Sequence, residues 1–396
     1  MRILQICKKV PWPLHDGESI AVYGLAKGLE LEGHEMHLLA MNTSKHDKDV
    51  SKFQNELSHY KSTTFHNVNN NLTAFRLIKN LFFSSSPIHS DRLNNTSFKK
   101  ALISQIQLLD FDIVIMETVF ASIYIDEIRS QSNSKLVIRC HNAEHIIWKR
   151  LANEIPYWKR WYFDLQANRI VQFEMSQLNK ADLFLPLSQA DKTALQKTDV
   201  STPCEVVPIG LEISTYNEKQ AIPISNNLRL CFIGTLDWRP NIHGLMWFID
   251  EVWPEINGLP IELHIAGKNM PTNLMSISSE NVFIHGEVED AIEFISHHDA
   301  MIVPLFAGSG QRVKILQAMA LGQTVLSTSI GIEGIDAVND HHYFKCDTRD
   351  DFINKVTHLC SQRELLSPET IKENITIKHD LRFRGKQCST FLEELL

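Results

Sequence analysis

The chain has 396 residues, more than one hydrophobic core normally serves, so two domains of roughly 150–200 residues each are expected. Apolar residues make up 43% and charged residues 22%, which excludes a mostly disordered chain, a collagen-like repeat and a disulfide-stapled miniprotein. The net charge of -8 argues against a nucleic-acid binder and leaves any anionic ligand to local basic groups or backbone amides.

Seven cysteines (Cys7, Cys140, Cys204, Cys231, Cys346, Cys360, Cys388) are scattered and form no Cys-x-x-Cys pair, which favours a reducing compartment over a disulfide framework or a structural zinc. The start, Met1-Arg-Ile-Leu-Gln-Ile-Cys-Lys-Lys9, turns charged too early for a signal peptide. No stretch reaches the ~18 apolar residues of a spanning helix, so the expected location is the cytoplasm, at most resting on a membrane.

In chain order, the apolar runs Arg2–Cys7, Glu35–Met41, Asp112–Met116, Leu136–Cys140 and Asp182–Leu185 read as buried strands. Helical patterns over Ile20–Leu31 and Thr118–Arg129 fall between them, and polar Asn67–Asn71 and Ser84–Ser86 read as exposed loops. After a linker at Pro208–Asn227 the pattern restarts. Leu228–Ile233, Ile261–Ala266, Val282–His285, Ala300–Pro304 and Thr324–Ser327 are the second strand set, with helices Asn241–Ile256, Asp290–His297 and Gln311–Leu321. Such alternation predicts an α/β architecture of two Rossmann-like, doubly wound parallel sheets with ligands in a cleft at their junction. The expected boundaries are 1–207 and 208–378, with a terminal helix at about 379–396 returning to the first domain.

Ala307-Gly308-Ser309-Gly310-Gln311-Arg312-Val313-Lys314 joins a strand to a helix. A glycine turn at a helix N-terminus offers amides and the positive dipole end to a phosphate, and Arg312 and Lys314 add charge. The alternative is a tight turn with a solvated basic face.

Gly308 to Gly322, followed by Val325-Leu-Ser-Thr328 and Gly331-Ile-Glu-Gly334, resembles the donor-binding block of family-four glycosyltransferases. Phe232-Ile-Gly-Thr-Leu-Asp-Trp-Arg-Pro-Asn241, Val207-Pro-Ile-Gly-Leu211, Pro13-Leu-His-Asp-Gly17 and Gly33-His34 are similar to other motifs of that family. The resemblance implies a GT-B fold and transfer of a sugar from a nucleotide-diphosphate sugar (UDP-, GDP- or dTDP-linked) to a saccharide, lipid-linked or protein acceptor hydroxyl. It further implies retention of configuration without a metal or other cofactor, in polysaccharide, glycolipid or glycoprotein assembly. By the same resemblance His141 approaches the donor sugar. Gly17, Gly308, Ser309, Gly310, Gln311, Arg312 and Lys314 hold the diphosphate. Gln317, His285 and Val288 face ribose and base.

Three motifs depart from the family's pattern. Its Glu-x7-Glu signature falls on Ser309 and Gln317; a charge-assisted hydrogen bond is worth about 1.5–3 kcal/mol against about 1 for a neutral one, so nucleotide affinity is expected to drop roughly tenfold. Its phosphate-binding basic pair falls on Thr235 and Asn241, leaving Arg312 and Lys314, with Arg239 nearby. Its second glycine is Glu18, which must point away from a diphosphate, bind the acceptor or mark impaired function. A weakly active or non-catalytic scaffold therefore stands beside the enzyme reading.

Two further patterns carry alternatives. His141-Asn-Ala-Glu144-His145 matches a zinc-peptidase motif, but that motif needs both histidines inside one helix. Ile155–Phe163, preceded by Trp148-Lys-Arg150, clusters aromatic and basic residues. Helix packing with Trp and Tyr turned inward is favoured there over peripheral contact with an anionic inner-membrane face.

Overall fold

The computed structural model describes residues 1–44, 49–53, 55–216, 226–275, 277, 280–308 and 310–396. The chain divides into two compact units, one of Met1–Leu211, Ser309–Gln311 and Leu381–Leu396, the other of Glu212–Gly308 and Arg312–Asp380.

The first unit is built on β1 (Arg2–Cys7), β2 (Glu35–Thr43), β3 (Ser62–Val68), β4 (Ile113–Glu117), β5 (Lys135–Cys140) and β6 (Leu183–Pro186). Its helices are α1 (Gly17–Leu31), α2 (Ala74–Phe83), α3 (Ile88–Asp91), α4 (Thr96–Leu108), α5 (Ile125–Gln131), α6 (Glu144–Glu154), α7 (Tyr157–Leu178) and α8 (Gln189–Gln196). The strands pair in parallel in the order β3-β2-β1-β4-β5-β6. Both faces are covered, which is why β1, β4 and β5 are nearly continuous Ile, Leu and Val.

In the second unit come β7 (Leu228–Ile233), β8 (Ile261–Ala266), β9 (Val282–Gly286), β10 (Ala300–Val303), β11 (Thr324–Ser327) and β12 (Phe344–Lys345). They alternate with α9 (Arg239–Trp247), α10 (Trp253–Ile256), α11 (Thr272–Met275), α12 (Ala291–Ser296), α13 (Val313–Ala320), α14 (Arg349–Gln362) and α15 (Pro368–His379). The order β12-β11-β10-β7-β8-β9 is the first sheet's topology again, parallel throughout. The final helix, α16 (Leu381–Glu393), belongs to the first unit.

Several local expectations are corrected. The helix expected over Thr118–Arg129 is a 3-10 turn at Val119–Tyr124 followed by α5. Thr118 is left-handed there (φ 71°), and the Ser122 hydroxyl donates to the Val119 carbonyl, which competes with regular helix. The helix expected over Asn241–Ile256 is broken by a π-turn at Phe248–Val252. Pro254 lacks an amide and crowds the carbonyl of Asp250 four residues back. Asn67 and Val68 end β3 rather than form a loop, and Asn70 is buried. As an edge strand paired only with β2, β3 carries a polar sequence that no apolar run betrays.

Candidate functional site

In an open α/β sheet, ligands bind off the carboxyl ends of the strands where the strand order reverses. In the first unit that point lies between β1 and β4. Glu117 closes β4, and His141 follows β5. Both are buried, and the ring's Nε2 lies 2.5 Å from Glu117 Oε2. Burial raises the Glu117 pKa, but Arg139 and the hydrogen bonds from His141 and Gln5 outweigh it and hold the carboxyl below its ordinary value. An ionised carboxylate only accepts, so His141 donates through Nε2 and keeps Nδ1 for another partner.

The network continues inward. Gln5 Nε2 donates to Glu117 Oε1 (2.5 Å), and the Tyr60 hydroxyl donates to Gln5 Oε1 (2.5 Å). Arg139, fully buried, donates through Nη1 to the Ala21 carbonyl (2.7 Å) and lies 3.5 Å from Glu117 Oε2. The loop after β1 supplies Lys8, paired with Glu18 at 3.1 Å. Burial opposes ionisation of Glu18, yet Lys8, Lys9 and His141 lower its pKa overall. Glu18, in the first turn of α1, is thus charge-paired by the loop that precedes the helix. Gly17 opens α1 behind the cap Asp16, whose carboxylate accepts from the Ser19 amide (3.0 Å) and from Lys9 Nζ (2.6 Å).

Glu144, half-buried at the start of α6, differs. Burial, with Glu174 and Glu18 nearby, raises its pKa to about 7 against the pull of Lys8. Gly310 and Gln311 also group with this unit. Gly310 is left-handed (φ 78°), and a Cβ there would lie 2.1 Å from Asn142 Oδ1 and 2.8 Å from the His141 carbonyl oxygen. Only glycine permits that approach. The Gln311 side chain accepts from the Ile209 amide (2.9 Å).

The second unit reverses strand order between β7 and β10, and the residues after both strands converge there. Arg312 stacks on Trp238 of the turn after β7, 5.9 Å from ring centroid to guanidinium carbon, and reaches back over Gly308 of the turn after β10. Helix α13 starts at Val313, two residues later than expected, because Gly310 is left-handed and Arg312 is extended. Lys314 Nζ donates to Gln317 Oε1 (3.0 Å), and Gln317 Nε2 donates to the Tyr216 hydroxyl (3.3 Å). Gln317 is buried. His285 is exposed at the end of β9 with its Nε2 3.0 Å from His264 Nδ1. Val288 is half-buried in the following loop, and Ser309 lies outside the described residues.

Residues 16–215 match glycosyltransferase family 4, and residues 227–362 match glycosyl transferases group 1. The chain belongs to glycosyltransferase family 4. Of curated relatives of this family-4 chain, an uncharacterised 44.6 kDa protein in the cps region of Klebsiella pneumoniae is 25% identical over 238 residues, 57% of this chain. The match spans 59% of that relative's length. Among solved structures, sucrose-phosphate synthase from Thermosynechococcus elongatus is similar with a TM-score of 0.74 at 12% identity, covering 100% of this chain and 99% of that one. Anabaena HepE in complex with UDP and glucose is similar with a TM-score of 0.69 at 13% identity, covering 98% and 99%. These likenesses establish the GT-B fold.

The family-4 chain does not have the geometry of a zinc peptidase. Helix α6 begins at Glu144, so His141 lies outside it, and His145 Nδ1 contacts Glu174 Oε2 (2.5 Å) instead of sharing a face with His141. Among the described residues no three His, Cys, Asp or Glu side chains are grouped to hold a metal. Sequence reasoning missed Glu117, Gln5 and Tyr60. The one available signal was a carboxylate directly after the apolar run Ile113–Met116, at a strand's carboxyl end.

Proposed function

We propose that this protein transfers a sugar from a nucleotide-diphosphate sugar to an acceptor hydroxyl, with retention of configuration and without a metal, in assembly of a polysaccharide or another glycoconjugate. The observation that carries the reading is the meeting of Gly308, Arg312 and Trp238 at the β7/β10 reversal, within a family-4 chain. As the bond from sugar to phosphate breaks, negative charge grows on the diphosphate, and Arg312 and Lys314 stabilise it. Preorganised charge of this kind is the main source of catalysis in such transfers. His141, oriented by Glu117, offers Nδ1 to a sugar hydroxyl. Gln317, held by Lys314 and Tyr216, meets the ribose as a neutral acceptor. HepE, crystallised with UDP-glucose, makes a uridine nucleotide the first donor to try.

Calorimetry with UDP, GDP and dTDP against their nucleosides tests the donor site. Arg312→Ala and Lys314→Ala should each weaken diphosphate binding at least tenfold and leave nucleoside binding unchanged. Equal losses for both ligand types would remove these side chains from the phosphate site. No binding of any nucleotide would favour a non-catalytic scaffold, and a donor-sugar screen with mass detection of products then decides activity.

A further inference from the structure

Helix α2 is oriented opposite to an ordinary surface helix. Its buried member is the polar Asn80. Asn80 Oδ1 accepts from Gln166 Nε2 (3.2 Å) and Arg169 Nη1 (3.0 Å) of α7. Arg169 also donates to the carbonyls of Asn80 (3.1 Å) and Leu81 (3.0 Å), while Asn80 Nδ2 donates to the Ser86 carbonyl (3.0 Å) and to Asp91. Hydrogen bonds rather than apolar burial fasten this helix to the unit.

The large apolar side chains point the other way. Phe75, Ile78, Phe82 and Phe83 are 76%, 56%, 71% and 83% exposed. At 100° per residue Phe75, Ile78 and Phe82 form one stripe, with Lys79 beside it and Phe83 further round on the same side. The helix that anchors α2 begins with a second such set. Tyr157, Trp158 and Trp161 are exposed, so the expectation that these rings turn inward is corrected for all three; Trp148 and Phe163 do pack together, 5.4 Å apart. Lys159 Nζ lies 4.5 Å from the Trp158 ring centroid.

Charge selects the occupant. Leu72–Phe83 contains Arg76 and Lys79 and no carboxylate, and Tyr157–Phe163 contains Lys159 and Arg160 and no carboxylate, in a chain of net charge -8. Asp164, one turn on, pairs with Arg160 at 3.5 Å. Exposed aromatic side chains interleaved with cations are what an anionic bilayer binds, since rings enter the headgroup boundary while Lys and Arg meet lipid phosphates. Apolar surface this concentrated is not left in water without a role. We propose that α2 and the first two turns of α7 form a peripheral docking surface for a bilayer containing anionic phospholipid.

Co-sedimentation of the full chain with phosphatidylcholine vesicles, with and without one-third phosphatidylglycerol, tests this. Binding should be at least tenfold stronger to the anionic vesicles and should weaken as salt rises. Two surface variants, Phe75→Ser/Phe82→Ser/Phe83→Ser and Lys79→Glu/Lys159→Glu/Arg160→Glu, should each lose at least tenfold in binding while keeping the parent's circular dichroism and melting temperature. If the first variant misfolds, the charge variant carries the test alone. Equal binding to both vesicle types, or unchanged binding in the variants, overturns the proposal. So does self-association without vesicle binding that the phenylalanine substitutions abolish, because a second copy would then cover the face.

Discussion

At the residue scale the His141 cluster shows how a buried charge is kept. Glu117 and Arg139 are both fully buried, a costly arrangement unless every partner is in place. Gln5 and His141 donate to Glu117, and Arg139 donates through Nη1 to the Ala21 carbonyl, while its Nε and Nη2 lie buried without a hydrogen-bond partner among the described residues. Glu117→Ala would leave Arg139 uncompensated and should destabilise the first unit by about 3–5 kcal/mol, read from urea unfolding; a loss under about 1 kcal/mol would mean that water reaches the guanidinium. Glu144 acts in the opposite sense. Its folded pKa of about 7 lies above the ordinary 4.5, so the folded chain holds its proton longer than the unfolded chain does. Stability from this group is full below the unfolded value and is lost as pH rises from about 4.5 to about 7. Glu144→Gln should remove that loss, so that the variant gains roughly 1–3 kcal/mol on the parent between about pH 5 and pH 8. A difference that stays constant with pH would sink the assignment.

At the element scale, close backbone approaches set positions that side-chain patterns do not. Helix α16 crosses α1 where Gly385 meets Gly28, and a Cβ on Gly385 would lie 2.3 Å from the Gly28 carbonyl carbon and oxygen. Backbone cannot yield as a side chain would, so Gly385→Ala should cost about 1–3 kcal/mol in denaturant unfolding, with Ser389→Ala on the same helix as a milder control. Unchanged stability would show that the helices stand apart. Element legibility followed burial. The strands β1, β4, β5, β7 and β8 were readable as apolar runs because both of their faces are covered. Edge strand β3 was not, since its polar run lacks the pattern that burial imposes, whereas α2 carries an apolar stripe at helical spacing that turns outward instead of into the core.

At the scale of the whole molecule, one topology occurs twice, and each copy gathers candidate site residues at the carboxyl ends of its strands. Position within that repeated plan gives the glycine turn after β10 and the histidine after β5 their meaning, since a Gly-Ser-Gly or a lone histidine elsewhere would be ordinary. Among the described residues no helix is long and apolar enough to cross a membrane.

What the amino-acid order determined unaided is local: strand–helix alternation, the glycine turn, and motifs that mark family 4, all written within a few residues of one another. Tertiary structure alone decided which distant groups join one polar network. Gln5, Tyr60, Glu117, Arg139 and His141 come from different strands and loops and meet only once the sheet forms. It also decided that α2 turns its phenylalanines to the outside, because that orientation depends on hydrogen bonds that Asn80 accepts from residues of α7 more than eighty positions away. Periodicity reports how a segment is buried, and it carries no record of which remote side chain completes a polar network.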